Sequence, residues 1–270
     1  MFELSFGEGD PDSVWINDLP GGGRMRLGGK IDRIDECGEE DAKRLYVKIV
    51  DYKSSSRDIE LERLIEGEQL QLIVYLDAAL SLEQKAHPEK EIVCAGAFYY
   101  AFQEPMVEMS PDMTPEELED LTVGSMRVKG LVNGRADVVE RLDRGLSEPG
   151  PSLVIPVIRN KNPGELRASD NVITDRQFEL LREYAKDRMR KAAASILSGQ
   201  TAPNPSRMDT NTTSCTFCPY HDVCGFDPHG KGMRYRERAK RSSKENWEII
   251  GNTVSGKDTS CRNGQQNKSR

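Results

Sequence analysis

No apolar run in this sequence is long enough to cross a bilayer. The longest, Val93 to Phe102, is the length of a long buried strand. The opening residues, Met1-Phe2-Glu3-Leu4, carry neither the basic start nor the apolar core of a secretory leader. A helical membrane protein is thereby excluded, and the cytoplasm is the expected location. Positive charge is also in deficit. Against 45 Asp and Glu stand 38 Lys and Arg, a net charge of −7. That argues against a module gripping nucleic acid by bulk positive charge. It leaves room for an enzyme that holds DNA through a bound metal and a partner subunit. Hydrophobic residues make up only 36% against 31% charged, so the core is modest. A length of 270 residues fits one large domain, or one domain with appendages.

Cysteine is unevenly spent. Of six, Cys37, Cys94 and Cys261 are scattered, while Cys215, Cys218 and Cys224 fall within ten residues. In a reducing compartment such a cluster reads as metal ligation rather than disulfides.

Hydrophobic periodicity predicts the elements. Met1 to Gly23, rich in Gly, Pro and Asp, reads as loop. Arg24 to Asp35 alternates as a half-buried strand, Glu36 to Lys43 as a turn, and Arg44 to Lys53 as a second strand, together a hairpin. Glu66 to Lys85 reads as one helix with an apolar inner face, and Glu91 to Glu104 as a third strand. Thr114-Pro115-Glu116-Glu117 has the form of a helix start. Asp120 to Leu131 and Val138 to Leu142 read as short helices, and Asp175 to Ser198 as a long amphipathic helix ended by Gly199. A Pro-rich linker, Thr201 to Pro205, leads into the cysteine segment. Lys231 to Lys244 is basic. Gly251 to Arg270 is polar and expected to be disordered.

Chemistry concentrates in Gly29-Lys30-Ile31-Asp32-Arg33-Ile34-Asp35 and Ile49-Val50-Asp51-Tyr52-Lys53. Side chains two apart on a strand share a face, so Asp51 and Lys53 point together. The short turn should lay Asp32 alongside them. Two carboxylates at strand ends can hold a hard divalent cation. A nearby ammonium can stabilise charge building on a phosphate. Asp-x-Lys alone is a weak signal, because a solvated ion pair has the same spelling. Its weight comes from the ordered set of acid, turn, apolar strand, Asp-x-Lys and helix. Asp35, three residues from Asp32, should face away and take no part. In the helix, Gln71 and Tyr75 lie four apart on one face, a polar pair that needs partners.

These segments, with Gln69-Leu-Gln-Leu-Ile-Val-Tyr75-Leu, are similar to the RecB-type branch of the PD-(D/E)XK nuclease superfamily. The resemblance implies an α/β, restriction-endonuclease-like core with a mixed central sheet flanked by helices. It implies Mg²⁺ or Mn²⁺ on Asp32 and Asp51 with the Tyr52 carbonyl nearby, a catalytic Lys53, and Gln71 and Tyr75 as an additional helical motif. The family also carries an upstream helical His or Glu near the metal. No segment before Asp32 matches it, so the chain is expected to be truncated at its N-terminus.

Cys215-Thr-Phe-Cys218-Pro-Tyr-His-Asp-Val-Cys224 offers three thiolates to one metal site. His221 could complete a zinc site, with tight ring closure. Iron–sulfur clusters as a rule take four thiolates. The segment, its continuation Gly225-Phe-Asp-Pro228, Met126 to Leu131 and Ile196 to Gly199 resemble AddB-type helicase–nuclease subunits, the likeness covering about residues 3–240. That implies a 4Fe–4S staple on Cys215, Cys218 and Cys224, with its fourth cysteine upstream of residue 1. It also implies DNA as substrate, an AddA-like partner subunit, and exonuclease work in double-strand-break repair. The expected layout is a nuclease core over 1–200, a Cys-rich segment over 201–240 and a tail over 241–270. Two alternatives stay open, a Cas4-like iron–sulfur nuclease and an inactive nuclease-like scaffold that stabilises a helicase partner.

Overall fold

A computed structural model of the chain describes residues 2–7, 14–38, 43–102, 110, 112–146, 148–162, 165–207 and 212–256. The chain opens with strands β1 (Phe2–Phe6), β2 (Val14–Leu19), β3 (Gly23–Leu27), β4 (Gly29–Cys37) and β5 (Arg44–Lys53). Helices α1 (Leu61–Ile65) and α2 (Gln71–Ala86) then lead to β6 (Glu91–Ala101). Next come α3 (Pro115–Ser125), β7 (Lys129–Asn133), α4 (Ala136–Leu142), and the short strands β8 (Gly150–Pro151), β9 (Ile158–Arg159) and β10 (Val172–Ile173). The long α5 (Asp175–Leu197), β11 (Ser206–Arg207), α6 (His221–Cys224), β12 (Arg236–Glu237) and α7 (Ser243–Val254) complete the chain.

The central sheet has six strands in the order β1-β4-β5-β6-β7-β10. β4 and β5 pair antiparallel, β5 and β6 parallel, and β6 and β7 antiparallel. The parallel step requires a crossover, and α1 and α2 supply it. β5 lies inside the sheet with both faces covered. Val47 and Ile49 enter the core beneath α2 and α5, whereas Val50 joins Phe98, Val132 and Val139 on the other face. The architecture is therefore α/β with a mixed sheet between helices, as expected.

Several elements differ from the sequence reading. Residues Met1 to Gly23 hold strands where loop was expected. Phe2–Phe6 is recruited as the edge strand beside β4, with Leu4 opposite Ile31. Val14–Leu19 pairs with β3 in a hairpin whose Ile16 and Leu19 pack on Ala193 of α5. Pairing and packing, not local composition, make these strands. Arg24 to Asp35 is two strands broken at Gly28. The helix expected from Glu66 to Lys85 begins only at Gln71. Gly67 turns the chain with φ +86°, and the buried Gln69 ties off the loop by accepting from Glu60 N–H and donating to Asp58 O. Lys129 to Leu131, expected to be helical, lies in β7, because a free edge of β6 accepts it. Gly251 to Val254, expected to be disordered, completes α7, where Ile250 is fully buried. Residues 257–270 lie outside the described residues. Thr114 and Thr174 do cap α3 and α5, each through a reciprocal capping box.

Candidate active site

Strand β5 carries Asp51 and Lys53 to its C-terminal end on the helix-covered face. Asp51 is buried, at 4% exposure, and Lys53 Nζ lies 2.6 Å from its Oδ2. At that distance the ammonium neutralises a carboxylate that would otherwise be costly to hold out of water.

Asp32 reaches the same place from β4. The ladder between the strands sets Arg33 opposite Val50 and Ile34 opposite Ile49. One step beyond it, Asp32 Oδ2 accepts the Tyr52 N–H at 2.8 Å. The Asp32 carboxylate thus sits against the backbone between Asp51 and Lys53, with Oδ1 not used by that bond. Tyr52 sends its side chain to the opposite face, where it stacks on Phe102 with ring centroids 4.9 Å apart. Only its backbone meets the carboxylates.

The start of α2 closes the group. Lys53 Nζ donates to Gln71 Oε1 at 3.4 Å, and Gln71 Nε2 donates to Tyr75 Oη at 3.0 Å. Tyr75 is held edge-on against Phe6 of β1, ring centroids 5.8 Å apart. Asp51, Lys53, Gln71 and Tyr75 therefore form one connected chain of contacts, and Asp32 meets it at the Tyr52 amide. Asp35, read as outside the site, is occupied elsewhere, bonded to Arg33 at 2.7 Å and paired with Lys48 at 3.4 Å. Burial pushes its carboxyl up, but Arg33 and Lys48 outweigh burial and hold it below the usual range.

Two further roles were not read from sequence. Gly29 opens the motif because a Cβ there would lie 2.8 Å from Tyr75 Cε1. Tyr99 of β6 places its ring 5.7 Å from Lys53 Nζ. Burial, and then the Asp51 charge, push its phenol up to about 12, so it stays neutral at physiological pH. A buried aromatic opposite an Asp-x-Lys strand is ordinary sheet packing in sequence terms, so nothing distinguished it.

The cysteine segment forms a separate knuckle. Cys215 and Cys218 are half-buried and Cys224 is exposed. The Phe226 N–H donates to Cys224 Sγ at 3.4 Å. His221 is exposed, with Nδ1 3.5 Å from Asp222. Parallel pairing of β11 with β12 brings the two flanks of the knuckle together. Arg236 and Arg238 tie it to Glu66 and Glu60 around α1, each at 3.1 Å, and Ser206 donates to Glu68 at 2.6 Å.

Comparison with known proteins shows the family of the chain. A profile of the PD-(D/E)XK nuclease superfamily matches residues 1–225. An ATP-dependent helicase/deoxyribonuclease subunit of Ruminiclostridium cellulolyticum is 32% identical over 257 residues, which are 95% of this chain and 22% of that protein. The proteins of the same name from Thermoanaerobacter sp. and Clostridium novyi are 33% and 34% identical over 93% and 92% of this chain, and over 21% of their own lengths. The chain spans about a fifth of the curated relatives it matches.

Proposed function

Because this chain belongs to the PD-(D/E)XK nuclease superfamily, we propose that it is a metal-dependent deoxyribonuclease, the exonuclease module of an AddB-like helicase–nuclease subunit in double-strand-break repair and recombination. The observation that carries the reading is the buried Asp51 carboxylate in contact with Lys53, with a second acid, Asp32, bonded to the next backbone amide. A merely structural Asp51–Lys53 pair would need neither Asp32 nor the Gln71–Tyr75 extension.

Asp32 and Asp51 offer oxygen ligands of the kind Mg²⁺ or Mn²⁺ prefers. The N–H and C=O of one strand residue share an edge, so the Tyr52 carbonyl should look toward Asp32 as its N–H does. A cation held there would act as a Lewis acid on the phosphate and lower the pKa of water. Lys53 then places its ammonium where charge builds on the phosphate oxygens. Gln71 accepts from Lys53 and is itself fixed by Tyr75, which restricts where that ammonium can go. The phenol of Tyr99 stays protonated and cannot compete with Asp51 as an anion.

We read Cys215, Cys218 and Cys224 as three ligands of a 4Fe–4S cluster with a structural role, the fourth thiolate coming from outside this chain. The Phe226 N–H donated to the Cys224 sulfur and the clamp onto α1 support that reading. Residues 1–200, 201–240 and 241–270 remain the proposed division into core, cluster segment and tail. DNA and an AddA-like subunit are the proposed partners, in the cytoplasm.

The test is Mg²⁺-dependent degradation of linear duplex DNA by the full-length subunit with its partner. Asp51→Asn is expected to abolish hydrolysis attributable to this subunit while ATP-driven unwinding persists. Wild-type degradation by that variant would overturn the proposal.

A further inference from the structure

Three side chains that the active site does not use meet at the far end of α2. Glu83 lies in its last turns, His87 caps its C-terminus, and Glu36 reaches them from β4. Gln71, at the start of α2, is roughly 18 Å away along the axis at 1.5 Å per residue. One ligand atom from each of the three falls within 4.8 Å of the others.

Glu83 makes the cluster more than a patch of acids. It is only 7% exposed, whereas Glu36 beside it is exposed. The nearest charged group, His87 Nε2, stands off at 4.0 Å. That gap is too long for a hydrogen bond but suits two groups sharing an ion. Burial, and then the charge of Glu36, push the Glu83 carboxyl up, opposed by His87 and by the chain's α-amino charge. These two charges offset the burial only in part, and the imidazole is a metal ligand in its neutral form.

We propose that Glu36, Glu83 and His87 form a second divalent-cation site, separate from Asp32 and Asp51. Two carboxylates and one imidazole suit a transition cation such as Mn²⁺ better than a soft, thiolate-seeking one. Bonds of roughly 2.2 Å bring ligand atoms within roughly 4.4 Å of one another. Glu36 is exposed and has the freedom to close the remaining gap. The cation would fasten the C-terminus of α2 to β4, holding from behind the helix that presents Gln71 and Tyr75 to Lys53.

Mn²⁺ is the probe, because the thiols of the cysteine knuckle bind it poorly. The protein is the whole chain carrying Asp51→Asn, which weakens the active-site cation set. The chain has three histidines, so imidazole resonances separate His87 from His221 and His229. Substoichiometric Mn²⁺ is expected to broaden His87 selectively and to raise the thermal midpoint. Glu36→Gln leaves the buried Glu83 in place and should fold. It is expected to weaken Mn²⁺ binding at least about tenfold, the low end of the loss seen even for outer-sphere changes, and His87→Ala should abolish the midpoint rise. A His87 resonance that stays sharp at millimolar Mn²⁺ would overturn the proposal, as would unchanged binding in Glu36→Gln.

Discussion

Gly29→Ala is a one-methyl perturbation whose effect can be worked from distances. The added Cβ would lie 2.8 Å from Tyr75 Cε1, 3.1 Å from Tyr75 Oη and 3.2 Å from Phe6 Cε1. Carbon pairs prefer about 3.5–4.0 Å, so the tightest contact falls short by roughly 0.7–1.2 Å. Tyr75 cannot retreat freely, because its ring abuts Phe6 and its hydroxyl accepts from Gln71. Overpacking of this kind costs about 1–3 kcal/mol. In a chain of this size each kcal/mol lowers the melting midpoint by about 2–4 °C. Urea unfolding of four proteins measures it: the parent, Gly29→Ala, Tyr75→Ala and the double variant. With Tyr75 truncated, Gly29→Ala should cost less than half as much, the remainder reflecting Phe6. An equal cost in both backgrounds would refute the packing argument. Displacing Tyr75 also frees Gln71 and loosens Lys53, so DNA cleavage should fall with stability in Gly29→Ala.

Two further outcomes test the frame around the site. Ile250→Ala should destabilise the chain by roughly 2–5 kcal/mol in denaturant unfolding, because Ile250 is fully buried in α7 against the main core. A loss under about 0.5 kcal/mol would mean that α7 contributes no packing. The Asp137 carboxyl is held down at about 2, chiefly by hydrogen bonds from Arg135, with burial opposing and the Tyr46 phenol also donating. A carboxyl depressed on folding stabilises above its unfolded value, near 3.9, and that stabilisation is lost as pH falls through about 2. Asp137→Asn should therefore flatten the fall in unfolding free energy between about pH 4 and pH 2. An unchanged acid slope would refute this assignment.

How much of this was legible in the sequence depended on whether local pattern or distant pairing decided the outcome. Strand β5 was readable to the residue because Arg44 to Lys53 is rich in β-branched and aromatic residues. The period of two put Asp51 and Lys53 on one face. The helix at Asp175 announced itself through its amphipathic pattern and the Gly199 that ends it, whereas its reciprocal cap of Thr174 and Gln177 was not read. Gln71 and Tyr75 were found by helical spacing, and their mutual hydrogen bond follows from it. Strands β1, β2 and β7 were missed, because each owes its conformation to a partner elsewhere in the chain. The bond from Tyr52 N–H to Asp32 was also out of reach, since it depends on the register between two strands. The loop at residues 66–70 looked helical because its Leu70 continues the apolar face, yet Gly67 and the Gln69 side chain interrupt it. The Glu36–Glu83–His87 group joins a strand to a helix nearly fifty residues away, and no spacing rule connects them.

The central claim is that Lys53, held between Asp51 and Gln71, supports phosphodiester hydrolysis rather than the fold. Its ammonium pairs with the buried Asp51, so Lys53→Ala is expected to shift the unfolding midpoint while leaving the chain folded at the assay temperature. Single-turnover cleavage of linear duplex DNA with saturating Mg²⁺, using the full-length protein together with its partner, measures the chemistry directly. Losing one preorganised charge stabiliser predicts a rate reduced on the order of 10²–10³-fold with DNA binding retained. A Lys53→Ala enzyme that folds, binds DNA and cleaves at the parental rate would contradict the account.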